Sequence, residues 1–136
     1  MTTTRRANDL EEVRTWASIA ARAADEKKAT STVVLEVGPI LAITDAFVIT
    51  SAGNGRLVRT IAEEVERQVK AGGGPGPIRI EGLDDARWVL LDYGDFVAHV
   101  FLDEVRDYYD LERLWSDASP VDWATLVTEL PAASGE

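Results

Sequence analysis

The amino-acid sequence predicts a single α/β domain, a mixed sheet of about five strands covered by helices in the order α-β-β-α-β-β-β-α. Three observations predict it. Apolar residues recur at helical spacing in two long stretches, and short β-rich runs bounded by glycine and proline lie between and after them. The chain has 136 residues, 46% of them hydrophobic, which is enough for one core without disulfides.

The first helix is expected from Asp9 to about Glu26, with Asn8 as its cap. Leu10, Val13, Trp16, Ala17 and Ala20 form its apolar stripe, and Asp9, Glu11 and Glu12 suit its positive end. Ser31 to Val37 reads as a strand broken by Gly38-Pro39, and Asp45 to Ser51 as a second. Gly53-Asn54-Gly55 turns the chain into a helix from Arg56 to Ala71, where Leu57, Ile61, Val65 and Val69 mark the core face. The glycines from Gly72 to Gly76 make a flexible connector before a third strand at Ile78 to Glu81. Arg87 to Asp92 and Asp95 to Asp103 read as a hairpin about Tyr93-Gly94. A last helix, capped by Asp103, runs from Glu104 to Trp115, with Tyr108, Leu111, Leu114 and Trp115 mostly core. Residues 1–118 read as the domain and 119–136 as an extension. In it Trp123, Leu126, Val127 and Leu130 have the spacing of a short helix, and Pro131 onward is expected to be disordered.

Composition narrows the function. The chain has no cysteine, which removes disulfides, thiol catalysis and thiolate metal sites together. Arg5 and Arg6 are not followed by the apolar region of a signal peptide, and no apolar run approaches the roughly 20 residues of a membrane span. A cytoplasmic protein is expected. Its 14 Lys and Arg stand against 24 Asp and Glu, a net charge of −10. Such a field repels nucleic-acid backbone and anionic membrane, so a partner inside a nucleoprotein particle would be met through a basic protein surface. The plainer reading is that the carboxylates serve solubility.

The motifs of catalysis fail one by one. Gly53-Asn54-Gly55 lies between a strand and a helix, where a phosphate could sit, but Val58 occupies the third glycine of the dinucleotide fingerprint and no Gly-Lys-Ser/Thr follows. A nucleotidyltransferase would place Gly-Ser at such a turn and paired acids on a following strand; Asp92 and Asp95 instead flank a turn. His99 is the only histidine, with no nucleophile elbow and no nitrogen or sulfur companions for zinc.

The hairpin is more informative. With Tyr93-Gly94 as a two-residue turn, Asp92 faces Asp95, Leu90 faces Val97 and Trp88 faces His99, all on one face continued by Phe101. The other face carries Val89, Leu91, Phe96, Ala98, Val100 and Leu102 and must be core. On the mixed face the two aspartates either bond turn amides or await a basic partner beside Trp88. Both readings stand on the residues alone.

Taken together, these segments resemble the ribosomal silencing factors, also called Iojap-like or RsfS proteins. The match runs from Asp25 to Trp115 through Asp25-Glu26-Lys27-Lys28-Ala29, Ile43-Thr44-Asp45-Ala46-Phe47-Val48-Ile49 and Val58-Arg59-Thr60-Ile61-Ala62-Glu63. It continues through Trp88-Val89-Leu90-Leu91-Asp92-Tyr93-Gly94-Asp95, His99-Val100-Phe101, Arg106, and Tyr109-Asp110-Leu111-Glu112-Arg113-Leu114-Trp115. Leu57 departs from the family's usual polar residue, the Gly72–Gly76 loop is richer in glycine, and the tail after Trp115 is longer than in many members.

The resemblance implies a nucleotidyltransferase-like fold without its catalytic acids. It implies a translation repressor that binds the large ribosomal subunit through its fourteenth protein and sterically blocks the small subunit when nutrients are short, often as a homodimer when free. No enzyme activity, cofactor or metal is implied. The residues expected to meet the partner are Trp88, Leu90, Asp92, Tyr93, Asp95 and His99 of the hairpin, with Tyr109, Glu112 and Trp115 of the last helix. The rival is a nucleotide-binding transferase using Gly53–Gly55 with Asp92 and Asp95.

Overall fold

Two of the strands are buried on both sides, and that decides the architecture. Ala46–Ala52 (β2) is buried along its whole length, and Phe96–Leu102 (β5) nearly so, which places both at the centre of a sheet. The computed structural model describes residues 9–130. In it β2 and β5 pair in parallel, and the remaining strands extend the sheet outward in antiparallel pairs. These are Thr32–Glu36 (β1), Arg79–Glu81 (β3), Trp88–Asp92 (β4) and Ser119–Pro120 (β6), giving the order β3-β4-β5-β2-β1-β6. The expected mixed α/β sheet is therefore present with six strands instead of five. The sixth is a two-residue edge pairing on β1, where proline costs no ladder bond.

One face is closed by Leu10–Glu26 (α1), Gly55–Ala71 (α2) and Trp123–Thr128 (α5). They pack on Val34, Val48, Val89, Leu91, Ala98 and Val100, the strand positions that alternate onto that side. The expected stripe of α1 is buried at Val13, Trp16, Ala17 and Ala20, and Ala21, Ala23 and Ala24 are buried as well, because α2, α5 and the sheet all crowd this helix. Its cap is Asp9, which accepts from the Glu12 amide at 2.9 Å; Asn8, the expected cap, lies outside the described residues. The glycine connector is not merely slack: a Cβ at Gly74 would fall 2.7 Å from Val69 Cγ1 and 3.0 Å from the Trp16 ring, so the loop seals the α1–α2 seam. After β6, α5 lies on α1, Val127 is buried, and the Trp123 indole donates to the Thr32 carbonyl at 3.1 Å. The segment from Pro131 on, expected to be disordered, lies outside the described residues.

The α1–α2 seam holds a polar network. The buried Gln68 donates to Glu26 and Glu64 and accepts from Arg22. Hydrogen bonds from Arg67 and then Gln68 hold the Glu64 carboxyl down at about 2. A carboxyl lowered in the folded state adds stability that is full above its unfolded value and is lost as pH falls toward the folded one. Urea midpoints of the wild type should therefore drop between pH 5 and pH 3 more steeply than those of Glu64→Gln. Equal slopes would remove Glu64 from the account.

Candidate functional site

The second face of the sheet is only half covered. Asp103–Tyr109 (α3) and Leu111–Leu114 (α4) lie over β2 and β5, where Val105, Leu111 and Trp115 pack with Phe47, Ile49 and Phe101. Toward β4 and β3 the face is open. Leu90 and Val97 lie there partly buried, with the exposed Ile43 and Ile78 beside them in a groove of about 350 Å³. Among the described residues, the large exposed apolar side chains include Ile40, Tyr108, Tyr109 and Leu114 besides these two isoleucines. Single exposed apolar residues need no explanation, but Ile43 and Ile78 line one groove together with Leu90 and Val97, and that grouping does.

The hairpin forms this face, with a turn one residue later than expected. Gly94-Asp95 are the two central residues, with the Tyr93 amide donating to the Phe96 carbonyl at 2.9 Å. Gly94 has φ +85° and Asp95 does not share the positive value, the pattern of a type II′ turn. Trp88 is therefore opposite Phe101, Leu90 opposite His99 and Asp92 opposite Val97. Partners move by two residues, so the mixed face keeps its members except Asp95, which moves into the turn. The expected opposition of Asp92 and Asp95 does not occur. Asp92 Oδ1 accepts from the Gly94 amide at 2.8 Å, and Oδ2 pairs with Arg79 at 3.2 Å. Arg79 also pairs with Glu81 at 3.2 Å, so the rim carries two carboxylates around one guanidinium.

Tyr93 does not join this face. It is buried on the opposite side, stacked on Phe96 with centroids 4.4 Å apart, and burial raises its phenol above the usual range. His99 does belong, at the floor. Only 5% exposed, it takes the Trp88 indole N–H on Nδ1 at 3.1 Å and meets the edge of Phe47 at 4.8 Å. An accepting Nδ1 puts the neutral ring's proton on Nε2, which has no hydrogen-bond partner among the described residues. Trp88 is half-buried between Phe101 and Tyr109, with centroids 4.8 and 5.0 Å away.

The expected last helix is two helices. Asp110 takes a left-handed conformation (φ 48°, ψ 53°), which aspartate tolerates better than most residues, and the chain turns there. Tyr108 and Leu114, expected in the core, are consequently 81% and 72% exposed. Tyr109 leans over Trp88 and is 53% exposed, while Trp115 meets Phe47 edge-on at 5.5 Å. Asp103 does not cap the helix but begins it, and its carboxylate accepts from the Thr30 hydroxyl at 3.1 Å. Glu112 is occupied: both its oxygens accept from Arg106, at 3.1 and 2.9 Å. That buried guanidinium also donates to the Ser31 carbonyl at 2.7 Å and Ser51 Oγ at 2.9 Å, tying α3 and α4 to the strands.

Sequence reasoning missed Arg106 as an anchor and Leu41, Ile43, Thr44, Ile78 and Arg79 as groove residues. The signal for the loop was faint: aliphatic Ile40, Leu41 and Ile43 crowded just after a Gly-Pro break. The rival site is not assembled. Asn54 caps α2 itself, accepting from the Leu57 amide at 2.9 Å, and a Cβ on Gly53 would lie 3.8 Å from the Asp103 carboxylate, which opposes an anion there. The described residues hold no cluster of three metal-ligating side chains and no helix long and apolar enough to cross a membrane.

Burial lowers the His99 imidazole to about 4. Below about 6.5 the unfolded chain takes up a proton that the folded chain refuses, so stability falls from there down to the folded value. His99→Phe should flatten the change in urea midpoint between pH 7 and pH 5. An unchanged slope would mean that this ring titrates freely in the folded protein.

Comparison with known proteins agrees with this architecture. A family model described as ribosomal silencing factor during starvation matches residues 10–135. The Bacillus subtilis ribosomal silencing factor RsfS is 41% identical over 104 residues, covering 76% of this chain and 87% of that protein. A mouse protein named mitochondrial assembly of ribosomal large subunit protein 1 is 34% identical over 86 residues, 61% of this chain and 37% of its own length. A crystal structure of a Chromobacterium violaceum protein superposes with a TM-score of 0.72 at 29% identity, covering 80% of this chain and 88% of that one. The sequence, the half-open sheet and these matches have one conclusion: the chain belongs to the ribosomal silencing factor family.

Proposed function

We propose that this chain is a non-enzymatic repressor of translation that docks on the large ribosomal subunit by its open sheet face. The fourteenth large-subunit protein is the partner in this reading, and repression follows from steric exclusion of the small subunit. A cytoplasmic site of action and a homodimer in the free state belong to the same reading. The observation that carries it is the half-covered face of β4 and β5, where Ile43, Ile78 and Tyr109 stand exposed beside Trp88 and Leu90. Apolar anchors there would supply binding energy, and the carboxylates of Glu81 and Asp92 would favour a basic surface. The name of the mouse relative points to the same subunit.

Such a site works without chemistry. Its occupant needs only to be held where the small subunit would pass, and a chain of net charge −10 finds protein cations on a particle whose RNA repels it. Ile43 and Ile78 are 73% and 70% exposed, so replacing both with serine should leave thermal stability nearly unchanged. Affinity for purified large subunits should fall at least about thirtyfold, and small-subunit joining should resume at wild-type repressor concentrations. A double variant that melts normally and still blocks joining would remove this face from the function.

A further inference from the structure

The groove on the open face is not uniformly apolar. Thr44 is 3% exposed and His99 5% exposed, and both line it. Neither Thr44 Oγ1 nor His99 Nε2 has a hydrogen-bond partner among the described residues. Leaving a buried polar group unmet is destabilising, and two in one groove weigh against a domain whose net stability is small. The His99 donor is also held in place. The Trp88 indole occupies Nδ1, which leaves the proton on Nε2, and Phe47 packs against the ring. A few fixed polar groups in an otherwise apolar concavity are how binding sites set the orientation of what enters them.

We infer that Thr44 and His99 are the specificity-determining residues of this groove, receiving a backbone carbonyl from an inserted loop of a basic protein partner. This rests on the docking reading above and names the chemistry by which that face chooses its partner. The imidazole N–H donates to the carbonyl and the threonine hydroxyl completes its coordination. An apolar side chain of the same loop lies on Leu90 and Val97, and a neighbouring cation reaches Asp92 and Glu81.

A polypeptide fits better than a small molecule. The groove holds about 350 Å³, at the low end for ligand pockets, and its apolar surface continues outward onto Ile43 and Ile78, which a small ligand would leave wet. A second copy of this chain fits less well, because its net charge of −10 would meet the rim carboxylates.

The experiment compares Thr44→Val, His99→Phe and His99→Gln with the Ile43→Ser/Ile78→Ser double variant. Each is measured for thermal stability, self-association by light scattering, and affinity for purified large subunits. Valine keeps the shape of threonine and removes an unmet hydroxyl, so Thr44→Val should melt at or above the wild-type temperature while its affinity falls about tenfold. Phenylalanine offers neither an acceptor for Trp88 nor a donor, whereas the glutamine amide keeps a donor near the Nε2 position and an oxygen that can accept. His99→Gln should therefore bind several-fold more tightly than His99→Phe. The inference is overturned if Thr44→Val and His99→Phe bind as wild type while the isoleucine double variant does not, an outcome that leaves the docking face itself standing. It is equally overturned if the polar variants change self-association alone, which would give the groove to a second copy. If the isoleucine double variant also binds as wild type, the docking reading falls with it.

Discussion

A sheet of six strands has two faces to keep from water, and this chain brings long helices to only one of them. The topology causes the imbalance. Because β2 and β5 lie side by side in parallel, the connection between them carries α2 back across the sheet on the side where α1 already packs. The other face is left to the short helices that follow β5. Val105, Leu111 and Trp115 from that segment close the area above Phe47, Ile49 and Phe101, and the cover ends there. The side chains at the boundary are adapted to a half-buried state. Trp88 packs its ring against Phe101 and directs its N–H to His99, and Tyr109 leans over it with its outer side in solvent.

A partial cover is easily lost, since short helices have little stability of their own. Arg106 holds this one. Its guanidinium joins the last carbonyl before β1, a serine of β2 and the carboxylate of Glu112, so that α3, α4 and the centre of the sheet are fixed to one buried cation. Removing such a group leaves the Ser31 carbonyl, Ser51 and Glu112 without their donor, a larger loss than that of an exposed ion pair because Arg106 itself is buried. Glu112, by accepting from Arg106, helps to hold the face in place.

Much of this was legible in the sequence, for reasons that can be stated residue by residue. The alternation of apolar residues from Trp88 to Asp92 and Phe96 to Leu102 fixes which side chains share a face, and that assignment survives a turn placed one residue away, because partners then move by two. Turn chemistry was not legible to the same degree: Gly94, with its positive φ, suits the second central residue of a type I′ turn as well as the first of a type II′ turn, and only the strand register separates the two. The periodicity of the last helix runs unbroken through Asp110, yet the left-handed turn there exposes Tyr108 and Leu114 and brings Glu112 onto Arg106. The groove was hidden for a simpler reason. Ile43, Thr44 and Ile78 lie in irregular segments with no period to read, and their meeting is a property of the folded sheet.

On the docking proposed above, the half-covered face is the one the molecule uses. Amide hydrogen exchange of the chain alone and bound to purified large ribosomal subunits tests it directly. New protection is expected in the Leu41–Thr44 loop, along β3 and β4, and in α3 and α4, with α1 and α2 unchanged. Protection that appears on the outer surfaces of α1 and α2 and spares the Leu41–Thr44 loop would contradict it.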